Sequence, residues 1–241
     1  MNATHGNGVH AAEAPPSQGC GGAGQRFGPP ADCRRILIVG AGGFGREVLS
    51  WANDTWPDHA AKIAGFLSAD ASRRVPLPIL GDPELFPPVP GDAFLLAIGI
   101  PDTRRRVAEA LLAKSAVFLT LVHPTAIVAT TATVGVGSIV CPYAIVSDAA
   151  KVGPFVLANY HSSLGHDSNA GGFSVLSPYA TLGGNAQIGQ EVFLGMHASV
   201  GPSRKVGTGS KISALSCALA DVPCDSIVYG VPGRIAPRIS L

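Results

Sequence analysis

The segment 159-NYHSSLGHD-167 gathers the side chains best suited to chemistry in this chain. His161 and His166 stand five residues apart, Asp167 follows directly, and few charges surround them. A neutral imidazole can take a proton from an attacking amine or hydroxyl. An adjacent carboxylate can orient the ring and support the positive charge that results. Whether the pair does so depends on the elements that carry it and on what lies next to it in space.

Those elements announce themselves by a period of six. Every sixth residue from Val128 through Val134, Val140, Val146, Val152, Ala158, Leu164, Ala170, Leu176, Leu182, Ile188, Leu194, Val200, Val206 and Ile212 to Ala218 is aliphatic. Chance would give such a run less than about once in 100,000. Four places after each, the chain usually carries Ala or Ser, with Arg204 the clear exception. This is the pattern of a parallel β-helix built from hexapeptide repeats, the aliphatic residue pointing inward and the small one letting the chain turn. Three hexads close one coil, so residues eighteen apart stack ~4.8 Å from each other. The unbroken phase predicts about five coils without a long inserted loop.

Stacking by eighteen gives two columns: Asp148, His166, Gly184, Pro202, and Tyr143, His161, Tyr179, His197. His161 and His166 therefore share a coil but sit on different edges or near its corner. Gly184 falls directly above His166, leaving open space and an uncovered backbone N–H beside the imidazole. A base next to such a donor suits acyl transfer, where the N–H stabilises the oxyanion of the tetrahedral intermediate. Asp167 reaches His166 only if the chain turns there, because neighbours on a strand point to opposite faces. An idle surface histidine is the alternative for position 166, and more so for His161 and His197.

Ahead of the repeats, residues 34–121 alternate strand and helix. The run 35-RILIVGAGGFGREVLSWAN-53 goes from a buried strand through a glycine loop into a helix. Strands follow at 63–67, 93–99 and 117–122, with a helix over 103–115 and Asp102 as its N-cap. The prediction is a small Rossmann-like α/β domain with a parallel sheet, followed by the β-helix domain over 122–241. A glycine loop between strand and helix suits phosphate at the helix N-terminus; the domain is small for a complete NAD site, and a purely structural turn is the other alternative. Residues 1–33 lack hydrophobic period and read as a flexible extension, His5 and His10 as solvated tail residues rather than metal ligands.

Composition excludes several classes. A net charge of +1 leaves no footprint for nucleic acid or an anionic membrane. No apolar run approaches the ~18 residues of a membrane span. The five cysteines, Cys20, Cys33, Cys141, Cys217 and Cys224, form no CxxC pair, which fits a reducing compartment. The start of the chain lacks a secretory pattern, so a cytoplasmic location is expected.

The array, the glycine-loop domain before it and the closing 230-GVPGRIA-236 resemble the sialic acid O-acetyltransferase and bacterial sugar N-acetyltransferase family over residues 35 to about 238. The segments 39-VGAGGFGREV-48, 97-AIGIPDTRRR-106, 121-LVHPTAIVATTATVGVGSIV-140 and 159-NYHSSLGHDSNAGGFSVLSPYATLGGNAQIG-189 carry the likeness. The resemblance implies a left-handed β-helix, a homotrimer, and transfer of acetyl from acetyl-CoA to a nucleotide-linked amino sugar or sialic acid, with no metal. It implies His166 as general base with Asp167, and Gly184 as oxyanion donor. Gly183, Met196, Arg204, Lys205 and Arg234 are the further candidates for contact with acetyl-CoA. Gly40, Gly42, Gly43, Phe44, Gly45, Asp70, Gly99 and His161 are candidates for contact with the sugar substrate. Val175 stands where some members carry a second histidine, and Ser68 and Ala69 stand where others place acids for the nucleotide base.

Two other functions compete. A zinc hydro-lyase of the γ-class carbonic anhydrase type uses the same β-helix and would draw on His161, His166 and His197, with Thr125 standing at the expected third-ligand place. A non-catalytic sugar-nucleotide-binding scaffold would keep the fold without binding acetyl-CoA.

Overall fold

The computed structural model describes residues 27–231 and 233–238. His5, His10 and most of the expected N-terminal extension lie outside the described residues. Residues 27–33 are held against the fold rather than free. Phe27 packs on the first coil of the β-helix, its carbonyl accepts the Trp56 Nε1–H at 3.0 Å, and Cys33 is buried.

The first unit is a four-stranded parallel sheet, β1 (Arg35–Val39), β2 (Ile63–Leu67), β3 (Asp92–Leu96) and β4 (Val117–Phe118), in the order β2-β1-β3-β4. The first helix, α1 (Gly43–Thr55), follows β1, and α2 (Pro101–Leu112) follows β3. Ile36, Leu37, Ile38 and Val39 are all fully buried, as expected of a parallel strand covered on both faces. Because β1 is central, with β2 on one side and β3 on the other, the chain reverses its winding between β1 and β3. Ligands of open α/β sheets bind in the crevice outside the strand ends at such a point.

Several boundaries differ from expectation: the strand expected over 93–99 is Asp92–Leu96, and the helix expected to end at 115 ends at Leu112. The helix begins at Pro101, whose missing N–H costs nothing in a first turn. Ile100 is therefore the N-cap, and Asp102 lies inside the first turn, accepting the Thr103 N–H at 2.7 Å. The strand expected over 117–122 is two strands: β4 closes the sheet, whereas Leu121–Val122 pairs with Ile139–Val140 and opens the β-helix. The apolar run hides the break because both pieces are buried.

The second unit is a parallel β-helix of about six turns, with three faces made of two-residue strands. The first face runs from Leu121–Val122 through Ile139–Val140, Leu157–Ala158, Val175–Leu176, Phe193–Leu194 and Lys211–Ile212 to Ser226–Tyr229. An antiparallel strand, Arg234–Pro237, closes it. The second face carries Ile127–Val128, Ile145–Val146, Ser163–Leu164, Thr181–Leu182, Ser199–Val200 and Cys217–Ala218. The third carries Thr133–Val134, Lys151–Val152, Asn169–Ala170, Gln187–Ile188 and Lys205–Val206. The array is a turn longer than expected because the first face takes one more strand at each end.

The register is eighteen residues at every pairing along all three faces up to Ile212, for example Ser163 with Thr181. The aliphatic residue of each hexad is the second residue of a strand and points inward; from Val140 to Ala218 none is more than 3% exposed. Each buried Val, Ile or Leu stabilises the coil by about 1.5–3 kcal/mol. The small residues are buried as well, and Ser138, Ser174 and Ser210 each donate to a carbonyl at the corner they close.

The α/β unit sits on the first face. Outward residues Leu121, Ile139, Leu157 and Val175 share a core with Val48, Ala52 and Trp56. Phe118 meets Phe155 edge-on, and Phe155 stacks on Phe173 at the corner joining the third face to the first. The corner between the second and third faces is left free, and it carries His166.

Candidate active site

His166 and Asp167 end the strand Ser163–Leu164 and occupy the free corner. Asp167 takes a left-handed conformation, φ 57°, which turns the chain so that neighbouring side chains meet: His166 Nδ1 lies 2.9 Å from Asp167 Oδ2. The turn is held by its rungs, since Asp167 N–H donates to Asp148 O and Asn185 N–H to His166 O. Both side chains stay more than half exposed. An ionised carboxylate only accepts, so in the neutral ring this contact favours the tautomer with the proton on Nδ1 and the lone pair on Nε2.

Gly184 lies directly over the ring. A Cβ built there would fall 2.5 Å from His166 Nε2 and 2.6 Å from Cε1, so a side chain larger than hydrogen displaces the imidazole. Within that turn Gly183 N–H donates to Val200 O and Asn185 N–H to His166 O. The Gly184 amide has no partner among the described residues. An imidazole and a free N–H donor thus stand on neighbouring rungs of one corner, a pairing of the kind acyl transfer uses.

The corner joining the first and second faces is filled differently. Tyr143, His161, Tyr179 and His197 form a continuous stack with ring centroids 5.1, 4.8 and 4.7 Å apart, within 11° of parallel. His161 is therefore covered on both faces, one edge of the coil away from His166. Met196 belongs to this corner too, beside His197, rather than to Gly184. Arg234 lies in the closing hairpin, whose Gly233 packs against Cys217 O, and is likewise away from His166.

Arg204 and Lys205 do share the His166 corner, two coils above it, where Pro202 continues the column. Arg204 lies 3.8 Å from Asp221. Gly183 is packed against Pro202, and its N–H is taken by Val200 O.

The glycine loop lies at the strand ends of the α/β sheet. Gly40, φ 116°, packs on Ala97 O, and Gly45 packs on Gly40 O; a Cβ would come within 2.4 Å and 1.9 Å of those oxygens. A Cβ built at Gly42 or Gly99 would meet nothing within 4 Å, so the ends of β1 and β3 open to solvent at these two positions. The α1 N-terminus at Gly43 has no side-chain cap and no acid in its first turn, so its free N–H groups are available to an anion. Phe44 packs edge-on against Trp51. Asp70 is spent elsewhere: Ser72 hydrogen bonds, with Arg73 alongside, hold its carboxyl below the usual range. A separate hollow of about 290 Å³ lies on the domain seam, lined by Asp102, Glu191 and Asp225 among others, away from His166.

Among the described residues no three His, Cys, Asp or Glu side chains are grouped to hold a metal ion. His161 and His166, which a zinc centre would draw together, stand on two corners of one protomer.

Fold and corner geometry together define a hexapeptide-repeat β-helix protein with an α/β unit at its N-terminal side. Residues 35–111 match the PglD N-terminal domain. The GDP-perosamine N-acetyltransferase of Escherichia coli O157:H7 is 27% identical over 151 residues, a match covering 56% of this chain and 64% of that protein, just under two thirds of its length. The acetyltransferase domain of PglB from Neisseria gonorrhoeae FA1090, solved with acetyl coenzyme A, is 27% identical with a TM-score of 0.76, over 85% of this chain and all of that one. PerB from Caulobacter crescentus, solved with CoA and GDP-perosamine, shares the fold at 24% identity and a TM-score of 0.75, over 84% of this chain and 97% of that one. The likeness is thus of two kinds: residues 35–111 match the PglD N-terminal domain family, and most of the chain shares the fold of these sugar N-acetyltransferase structures.

Proposed function

We propose that the protein transfers an acetyl group from acetyl-CoA to the amino group of a nucleotide-linked sugar. The observation that carries this reading is the His166–Gly184 rung: an oriented imidazole with a free Nε2, under a glycine whose amide is unengaged. Relatives that bind CoA and a sugar nucleotide support it.

In this reading the amine attacks the thioester carbonyl carbon. The C–N bond forms as Nε2 takes the amine proton, while the oxyanion accepts the Gly184 N–H. Collapse breaks the C–S bond, and the proton passes from Nε2 to the departing CoA sulfur. Asp167 holds the proton on Nδ1 throughout and balances the transient imidazolium. No metal takes part. A hydroxyl acceptor would use the same base.

Within one protomer the crevice at Gly42 and Gly99 and the ring of His166 lie on different sides of the β-helix. The reading therefore uses a homotrimer, in which the crevice of one protomer serves His166 of another. The outer residues of the second face support this: Ile127, Ile145, Ser163, Thr181, Ser199 and Cys217 carry no charge. Arg204 and Lys205, on the same corner two coils up, suit the phosphates of CoA. A cytoplasmic location agrees with the free cysteines Cys33, Cys141, Cys217 and Cys224.

The test is a thiol-release screen with acetyl-CoA against UDP-, GDP- and dTDP-linked amino sugars and free sialic acids. Acceptor-dependent release with a nucleotide amino sugar is the expected outcome. Release from none of them, with calorimetry detecting no CoA binding, would leave a non-catalytic scaffold.

A further inference from the structure

In the run 104-RRR-106, Arg104 is fully buried while Arg105 and Arg106 reach solvent. Helical spacing puts Arg104 on the same side of α2 as Val107, Ala108 and Leu111, all buried. A buried guanidinium without a carboxylate is costly, and among the described residues none pairs with it. Burial pushes its pKa down to about 9, still above neutrality, so the group stays charged at pH 7.

Three carbonyls take its protons. Nη1 donates to Leu96 O at 2.7 Å and Ile98 O at 2.8 Å, and Nε donates to Phe155 O at 2.6 Å. Nη2 is buried without a partner. A leucine or methionine would fill the volume at lower cost, so the arrangement answers to where the three carbonyls are. Two belong to the end of β3, where it becomes the 97–100 loop of the crevice. The third belongs to the corner of the β-helix that joins the third face to the first.

The glycine loop is tied to the same point. Ala97 N–H donates to Val39 O, Gly40 packs on Ala97 O, and Gly45 packs on Gly40 O. Fixing Leu96 to Ile98 therefore fixes both walls of the crevice. We infer that Arg104 is a positioning residue that locks the loops 40–43 and 97–100 onto the β-helix and so sets where the phosphate end of the sugar nucleotide lies. The kinetic part of this inference rests on the proposed function.

Arg104→Lys keeps the charge and loses the fork. The expected result is a KM for the sugar nucleotide raised about 10-fold, in line with loss of a hydrogen bond from a charged donor, while kcat and the KM for acetyl-CoA stay within about twofold. Phe118→Leu, which thins the same seam without touching the loops, should lower Tm and leave both KM values in place. Equal shifts in the two KM values, or none, would overturn the inference. Hydrogen exchange on the same proteins reads the loops independently of turnover. The amides of Gly42, Gly43, Gly99 and Ile100 should exchange faster in Arg104→Lys, with residues 166–184 unchanged. Unaltered exchange at the crevice overturns the role of Arg104 even if no sugar nucleotide is acetylated, an outcome that would separately sink the proposed function.

Discussion

His161 and His166 lie on one coil, at the two ends of the same short strand, and the molecule uses them in opposite ways. His161 sits in a column of rings, closed above by Tyr179 and below by Tyr143. His166 sits in a column where the residue above is glycine. Residue type does not separate the two histidines; the residue eighteen places on does. The ring ladder also holds its side chains in left-handed turns, φ 55–62°, a conformation that costs bulky residues about 1–2 kcal/mol each. Stacking returns about 0.5–1.5 kcal/mol for each of the three pairs, which offsets part of that cost. At Gly184 the lost side chain leaves a rung open to substrate.

Substitutions can break or sharpen this contrast. The largest effect belongs to His166→Ala, with kcat down roughly 100-fold or more in the thiol-release assay, the usual size for a general base. Gly184→Ala comes next: its methyl must push the imidazole aside, and kcat should fall by roughly 30-fold with Tm nearly unchanged. Asp167→Asn should cost roughly 10-fold in kcat. Asparagine tolerates the left-handed turn, so the fold survives, but its amide can donate to Nδ1 and move the ring proton to Nε2. The smallest effect belongs to His161→Gly, which removes the imidazole and relieves the positive φ. Its kcat should stay within about twofold of the parent and its stability within about 1 kcal/mol, by the same assay and a thermal melt. A large kcat loss there would mean that the ladder takes part in the chemistry.

Much of this was legible in the sequence because the β-helix period is rigid. An aliphatic residue every sixth place fixes which side chains point inward, and a strict phase turns sequence offsets of eighteen into spatial contacts. That is how Gly184 could be placed over His166, and how the four-ring column could be written down. The open question of whether Asp167 reaches the ring was settled by its left-handed turn, a conformation the residue type permits but does not demand. The period does not say which face the α/β unit covers. Met196 stands at the other corner and Arg234 in the closing hairpin, so neither joins the His166 corner of the same protomer. The turn of Asp70, with Ser72 and Arg73 on its carboxylate, is not visible in the strand pattern. Arg104 escaped notice among three arginines, although its spacing to Val107, Ala108 and Leu111 put it on the apolar side of α2.

The account depends on the ring at 166 and the glycine at 184 working as one unit. The most direct measurement is kcat for Gly184→Ala introduced into the His166→Ala protein. With no imidazole to displace, the added methyl should leave the residual rate of His166→Ala unchanged within about twofold. A further fall of the same roughly 30-fold seen in the parent protein would show that the two positions act separately, and would contradict the account.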